Sequence, residues 1–240
     1  MKIKELFKQK QSDLQKYKPV TIAFLGDSVT QGCFECYLTS PTTLDTVFEP
    51  KNAYSTRLKE ILGILYPSVQ VNIINSGISG DNAPGGLARL ERDVLSYQPD
   101  FVVVSFGLND SAKDLQGLQE YKDALAGIFS KLNENGVETL FVTQNYNATH
   151  VSPHLKDELF LAYAKEFERR HKEKILHKYF DAAREVCAEY NVRVCDLFTI
   201  WERMENAGVN VTELLSNKFN HPIREYHYYM AIKILENMLD

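Results

Sequence analysis

The sequence predicts an α/β fold, a three-layer α/β/α sandwich around a five-stranded parallel sheet. Three observations carry that expectation. Five short apolar runs rich in β-forming residues recur along the chain, each followed by a stretch with helical spacing. The first of these runs is apolar throughout instead of alternating, as a strand covered on both faces is. Strands that alternate with helices pair in parallel through right-handed crossovers, which places helices on both sides of the sheet.

The elements follow in order. Apolar positions at Ile3, Leu6, Phe7 and Leu14 predict an amphipathic helix over residues 3–17. Residues 20–32, VTIAFLGDSVTQG, read as a buried strand running into a tight turn. Pro19 bounds the run on one side, and Gly26, free of a Cβ, lets the chain turn sharply on the other. The next segment, CFECYLTSPTTLDTVFEPKN, is rich in Thr and Pro and reads as a long irregular insertion, of the kind that forms lids or walls. A helix over residues 53–66 stops at Pro67, and VQVNIIN is the second strand, ending in the small-residue turn SGISGDNAPGG. Helical spacing returns over residues 87–97, before the third strand, FVVVSFG. A helix over residues 115–135 ends at Gly136, and VETLFVT is the fourth strand, followed by the polar loop QNYNATHVSPH. A charged helical stretch over residues 155–190, bent or broken near its middle, leads to the fifth strand, VRVCDLF. The last helix spans residues 223–239. Five strands at this spacing suit a flavodoxin-like winding, and no repeat or linker interrupts it, so residues 1–240 are expected to form one domain.

Composition narrows the partners. With 27 Lys and Arg against 32 Asp and Glu the net charge is −5, and no basic block appears, so nucleic acid is not an expected partner. The opening MKIKELFKQKQSDLQKY lacks the apolar stretch of a signal peptide, and no later run is long enough to span a bilayer. No membrane association and a cytoplasmic location are expected. Cys33, Cys36, Cys187 and Cys195 suit that compartment as free thiols. Cys33 and Cys36 form one C-x-x-C with no second pair to complete a zinc site, and they are read as ordinary loop thiols; no cofactor is expected.

Three of the strands end in unusual turns that should open on one edge of the sheet: Gly26-Asp27-Ser28, Gly77-Ile78-Ser79-Gly80-Asp81 and Gly107-Leu108-Asn109-Asp110. Asn220-His221-Pro222 precedes the final helix. Together they offer a hydroxyl, a flexible backbone amide, a side-chain amide and an imidazole, the set that acyl transfer requires. A hydroxyl becomes a good nucleophile once an imidazole takes its proton. The oxyanion then needs preplaced donors, each worth roughly 2.7–4 kcal/mol of barrier. The N–H of Ser28, the N–H of Gly80 and the side-chain NH2 of Asn109 are the candidates, and a Cβ at position 80 would hinder the approaching oxyanion.

In these blocks the chain resembles the GDSL, or SGNH, hydrolase superfamily, over nearly its whole length. GDSVTQG gives Ser28, NSGISGDN gives Gly80, GLND gives Asn109 and NHP gives His221, in the superfamily's order. The resemblance implies a flavodoxin-like sheet, no metal, and ester hydrolysis through an acyl-enzyme. The chain departs from the pattern at the acid: the position three residues before the histidine is Lys218. Asn217, within SNKFNHP, stands where relatives with an Asn inserted before the histidine carry their Asp. The expectation is therefore a Ser28–His221 dyad, with Asn217 or a backbone carbonyl orienting the ring.

Other polar residues receive plainer readings. Asp27 is expected to bond its own turn, His227 to pack against the sheet, and the His171/His177 pair to lie on an exposed helical face. His150 and His154, in the loop after strand four, are read as solvated, with the lining of a substrate pocket as the alternative, Trp201 as packing, and Arg89 and Arg92 as ion-pairing residues. The cleft walls are assigned to the insertion after Gly32 and to residues 144–154, with Tyr37, Phe48, Tyr146, Asn145 and Asn147 suited to sugar rings and hydroxyls. The likeness is greatest to carbohydrate acetylesterases, so the expected partner is a small-molecule ester, an acetylated sugar. A lipid esterase or thioesterase, and a ligand-binding relative that has lost catalysis, are the alternatives.

Overall fold

The computed structural model describes residues 2–240, and everything below concerns those residues. After helix α1 (Lys2–Ser12), strand β1 (Val20–Gly26) is buried at every position. A single turn of helix, α2 (Ser28–Gln31), follows at once. Then come β2 (Cys33–Ser40), β3 (Thr43–Phe48), α3 (Tyr54–Leu65), β4 (Val71–Gly77) and α4 (Ala83–Asp93). The chain continues through β5 (Phe101–Ser105), α5 (Leu118–Glu134), β6 (Glu138–Thr143), α6 (Glu158–Lys172) and α7 (Ile175–Glu189). It closes with β7 (Arg193–Asp196), α8 (Phe198–Asn206) and α9 (Arg224–Leu239).

The main sheet has the order β4-β1-β5-β6-β7, all parallel, the flavodoxin-like winding the sequence predicted. Helices α1, α3 and α9 pack together as one layer, and α4, α5 and α7 as the other. Register is what matters for function. Gly26 at the end of β1 is level with Gly77 of β4 and Ser105 of β5, so the turns after these strands open side by side. Open α/β sheets bind ligands at this carboxyl edge, where the strand order reverses.

Several boundaries differ from the sequence expectation. The insertion after Gly32 is an antiparallel hairpin of β2 and β3, with irregular register between Cys33 and Cys36. Its many Thr residues are good strand formers, and Pro41 falls in the turn where it breaks no ladder bond. Helix α4 begins four residues before the expected Leu87 because the Asn82 side chain accepts from Gly85 N–H and Pro84 lies in the first turn. The long charged stretch breaks at Lys174, which adopts left-handed angles between α6 and α7. Helix α8 was not foreseen; it buries Phe198 and Trp201, so the packing role read for Trp201 holds. Gly26 also earns its place differently. Its φ is not positive; instead a Cβ there would lie 2.0 Å from Thr30 Oγ1 and 2.8 Å from the Ser105 carbonyl. No helix is long and apolar enough to cross a membrane among the described residues.

Candidate active site

The end of β1 delivers Ser28. Asp27 caps the short helix α2, its carboxylate accepting from Val29 N–H at 3.0 Å, which fixes the turn as expected. The other carboxylate oxygen takes a hydrogen bond from Gln144 Nε2 at 2.8 Å, and burial pushes the Asp27 pKa up to about 7. Gln144 in turn accepts from Leu108 N–H at 2.9 Å, so one side chain at the end of β6 ties the first turn to the third.

Gly80 has a φ of +79°, in the left-handed region where any side chain is strained. A Cβ there would meet no protein atom within 4 Å, so the backbone angle is what demands glycine within the protein itself. Asn109 donates one amide hydrogen to the Asp81 carbonyl at 2.8 Å, which leaves the second for a ligand. Two buried charged groups anchor this loop. Arg89, on α4, donates to the carbonyls of Gly26 (2.9 Å) and Ser76 (2.6 Å) and pairs with Asp81 at 2.7 Å. Asp110 accepts from Ala83 N–H at 2.9 Å, and burial raises its pKa to about 6.

His221 Nε2 lies 2.9 Å from Ser28 Oγ, and its Nδ1 lies 2.8 Å from the carbonyl of Phe34. A carbonyl can only accept, so Nδ1 carries the proton and Nε2 presents its lone pair to the serine hydroxyl. The ring is 5% exposed, and this burial lowers its pKa to about 4, which keeps the imidazole neutral at physiological pH.

Asn217 does not orient that ring. Its Oδ1 accepts from the N–H groups of Phe219, Asn220 and His221, each at 3.0 Å, and its Nδ2 donates to Asn220 Oδ1 at 2.9 Å. It shapes the turn that carries His221, and of the two candidates named from the sequence the backbone carbonyl holds the imidazole. Lys218, at the superfamily's usual acid position, has a φ of +63° and pairs with Glu213 at 2.8 Å.

Ser28, Gly80, Asn109 and His221 all line one cleft of roughly 290 Å³. Its walls are not those expected from residues 144–154. Asn145, Tyr146 and Asn147 are buried, while Tyr37 and Phe48 are exposed away from the cleft lining. The hairpin does contribute, through Cys36, Leu44 and Thr46, and the facing wall is aromatic: Tyr163 and Phe167 of α6 with Phe219. Nothing local in the sequence marks α6 as a wall, since its aromatics read as an ordinary core stripe.

The remaining histidines sort themselves by contact. His171 and His177 are only 18% and 20% exposed in their side chains, against the exposed face expected of them. The break at Lys174 puts them on different helices, where both rings pack on Tyr146 at 5.2 and 5.6 Å between centroids. His227 is fully buried beside Phe34 and accepts from Tyr54 N–H at 3.2 Å. His154 is largely solvated, whereas His150 is half-buried, with Nδ1 3.2 Å from Thr212 Oγ1. Among the described residues, no three His, Cys, Asp or Glu side chains cluster so as to hold a metal ion.

A serine hydroxyl against a neutral, ring-fixed imidazole, at the carboxyl edge of a flavodoxin-like sheet, defines the class of serine ester hydrolases. Within it, the chain belongs to the GDSL-like Lipase/Acylhydrolase family, whose pattern matches residues 24–227. An acetylxylan esterase from Geobacillus stearothermophilus is 30% identical over 89 residues, 37% of this chain and 39% of that protein. The match thus spans well under half of the curated relative. In fold, the chain is similar to a lipase/acylhydrolase from Enterococcus faecalis, with a TM-score of 0.68 and 21% identity over 91% of this chain and 95% of the other. It is also similar to a two-domain esterase active on acetylated mannans, with a TM-score of 0.64 and 21% identity over 98% of this chain and 51% of that protein.

Proposed function

We propose that this chain hydrolyses small acyl esters, acetates above all, borne by carbohydrates, through an acyl-enzyme on Ser28. The observation that carries the reading is the 2.9 Å approach of His221 Nε2 to Ser28 Oγ, with Nδ1 held on the Phe34 carbonyl. His221 takes the hydroxyl proton as Oγ bonds to the ester carbon, and the carbonyl π electrons move onto oxygen. The N–H groups of Ser28 and Gly80 and the free amide hydrogen of Asn109 meet that oxyanion. As the intermediate collapses, His221 gives its proton to the departing alcohol. Water then repeats the sequence on the acyl-enzyme and releases the acid. The Phe34 carbonyl dipole steadies the imidazolium, but less strongly than a carboxylate does.

The carbohydrate assignment draws on the relatives, one an acetylxylan esterase and another an esterase active on acetylated mannans. A modest cleft of roughly 290 Å³ agrees with a small acyl group. The apolar wall of Leu44, Phe167 and Phe219 favours a second reading, an esterase for longer acyl chains. Rates over p-nitrophenyl esters of increasing length separate the two: a steep fall beyond two or three carbons is expected, and rates that hold or rise overturn the acetate assignment. Labelling by a fluorophosphonate that Ser28→Ala abolishes is the expected sign of the nucleophile, and a wild type that takes no label overturns the acyl-enzyme.

A further inference from the structure

We propose that a second cavity beside the cleft binds the outlying sugar units of an extended acyl acceptor, an oligosaccharide in preference to a lipid chain. The inference rests on the ester-hydrolase reading above and names where the remote part of its substrate goes. The cavity has a volume of roughly 370 Å³ and shares Cys36, Asn217 and Phe219 with the cleft that holds Ser28. The two spaces therefore adjoin along one ridge, formed by Cys36, Asn217 and Phe219. A chain of a few sugar units whose ester sits at Ser28 crosses that ridge from one space into the other.

Charged side chains distinguish the far wall from the near one. On the Ser28 side Leu44, Tyr163 and Phe167 stand among uncharged polar groups such as Thr46, Ser79 and Asn220. On the far side stand Glu35, His154, Lys156, Asp157, Ser216 and Lys218. An alkyl chain entering there would strip water from these groups and return no hydrogen bond, which is costly. A sugar hydroxyl both donates and accepts, so it matches a carboxylate and an ammonium alike. The C–H face of the ring finds Leu155 and Phe160 in the same wall.

Four of these polar groups are already engaged, Glu35 with Arg224 at 2.6 Å, Lys218 with Glu213 at 2.8 Å, Ser216 with the His221 carbonyl at 3.1 Å and His154 with Glu213 at 4.0 Å. Lys156 and Asp157 are exposed. Asp157 occupies the cap position of α6, yet its side chain makes no cap bond there. Both are thus open to a ligand, and replacing them removes no cap bond from α6.

The test compares kcat/KM for ethyl acetate, an acetylated monosaccharide and an acetylated tetrasaccharide of xylose or mannose, in wild type and in the Lys156→Ala/Asp157→Ala double variant. The wild type is expected to prefer the tetrasaccharide over the monosaccharide by about tenfold, or about 1.4 kcal/mol, the scale of one or two hydroxyl hydrogen bonds. The double variant is expected to lose that preference while its rate on ethyl acetate stays the same. No preference in the wild type, or a preference that survives both substitutions, overturns the proposal. A wild type active on ethyl acetate and fatty esters but on no sugar acetate overturns the oligosaccharide assignment and leaves the Ser28 reading standing. A protein that cleaves none of these esters and takes no fluorophosphonate removes the ester-hydrolase reading and the proposal with it.

Discussion

Replacing Asn217 by alanine separates a residue that shapes the histidine turn from one that serves as a triad acid. The substitution removes one acceptor from three backbone N–H groups, those of Phe219, Asn220 and His221. Each such bond contributes roughly 1 kcal/mol net, and a fully orphaned buried N–H costs roughly 1–3 kcal/mol. Asn217 borders both the cleft and the second cavity, so water can reach part of the gap. A loss of about 2 kcal/mol of stability follows, which for a chain of this length lowers Tm by roughly 4–8 °C. The Nδ1–Phe34 bond survives the change, so the ring keeps its tautomer while its turn loosens. A displacement of about 1 Å costs on the order of a hundredfold in rate, so kcat/KM is expected to fall between tenfold and a hundredfold. Ser28→Ala, by contrast, is expected to leave no measurable turnover. Asn217→Asp restores the acceptor, though not the Nδ2 donor to Asn220, and should recover most of the lost Tm and activity. Thermal melts alongside p-nitrophenyl acetate kinetics read both quantities. If Asn217→Ala is folded and as inactive as Ser28→Ala, the side chain does the work of a full triad acid and the positioning argument fails.

The remaining expectations concern protons and the oxyanion. Burial of His221 lowers its pKa to about 4, and the neutral ring is the form that accepts the serine proton. The acid limb of kcat/KM against pH should therefore fall near pH 4, with a plateau above about 5; a limb near the ordinary histidine value of about 6.5 would contradict the burial argument. The same depressed pKa means that unfolded chains bind more protons than folded ones between about 4 and 6.5, so His221 makes stability rise with pH across that window. Urea melts of the wild type and His221→Ala at several pH values check the sign by difference, since Asp27 and Asp110, raised to about 7 and about 6, oppose the trend and His227, lowered to about 3, reinforces it in both. On the proposed mechanism Asn109→Ala removes one oxyanion donor, and it should lower kcat by roughly 10²–10³ with little change in KM. An equal rise in KM would show that Asn109 binds the ground state instead.

The layers, the strand order and the four blocks carrying Ser28, Gly80, Asn109 and His221 were legible in the sequence because each is a local pattern. An apolar strand run, a glycine turn or a histidine before a helix is written in consecutive residues. The hairpin of β2 and β3, the early start of α4 and helix α8 were less legible, since short or Thr- and Pro-rich segments take their form from what they pack against.

Residue types and chain order alone determined which chemistry this protein could assemble. Only the tertiary structure decided how the imidazole is held, which helix walls the cleft and what locks the turns together. The partner of Nδ1 is the main-chain oxygen of Phe34, 187 residues away, and every residue carries such an oxygen, so the sequence cannot mark it. Gln144 and Arg89 likewise act by bridging turns that only strand register brings together. A side chain's type is local, but the bond it makes depends on distances that arise when distant segments pack, and that is why the pairing of Ser28 with His221 could be foreseen, and a carbonyl behind the ring named as one candidate, while Phe34 as its source could not.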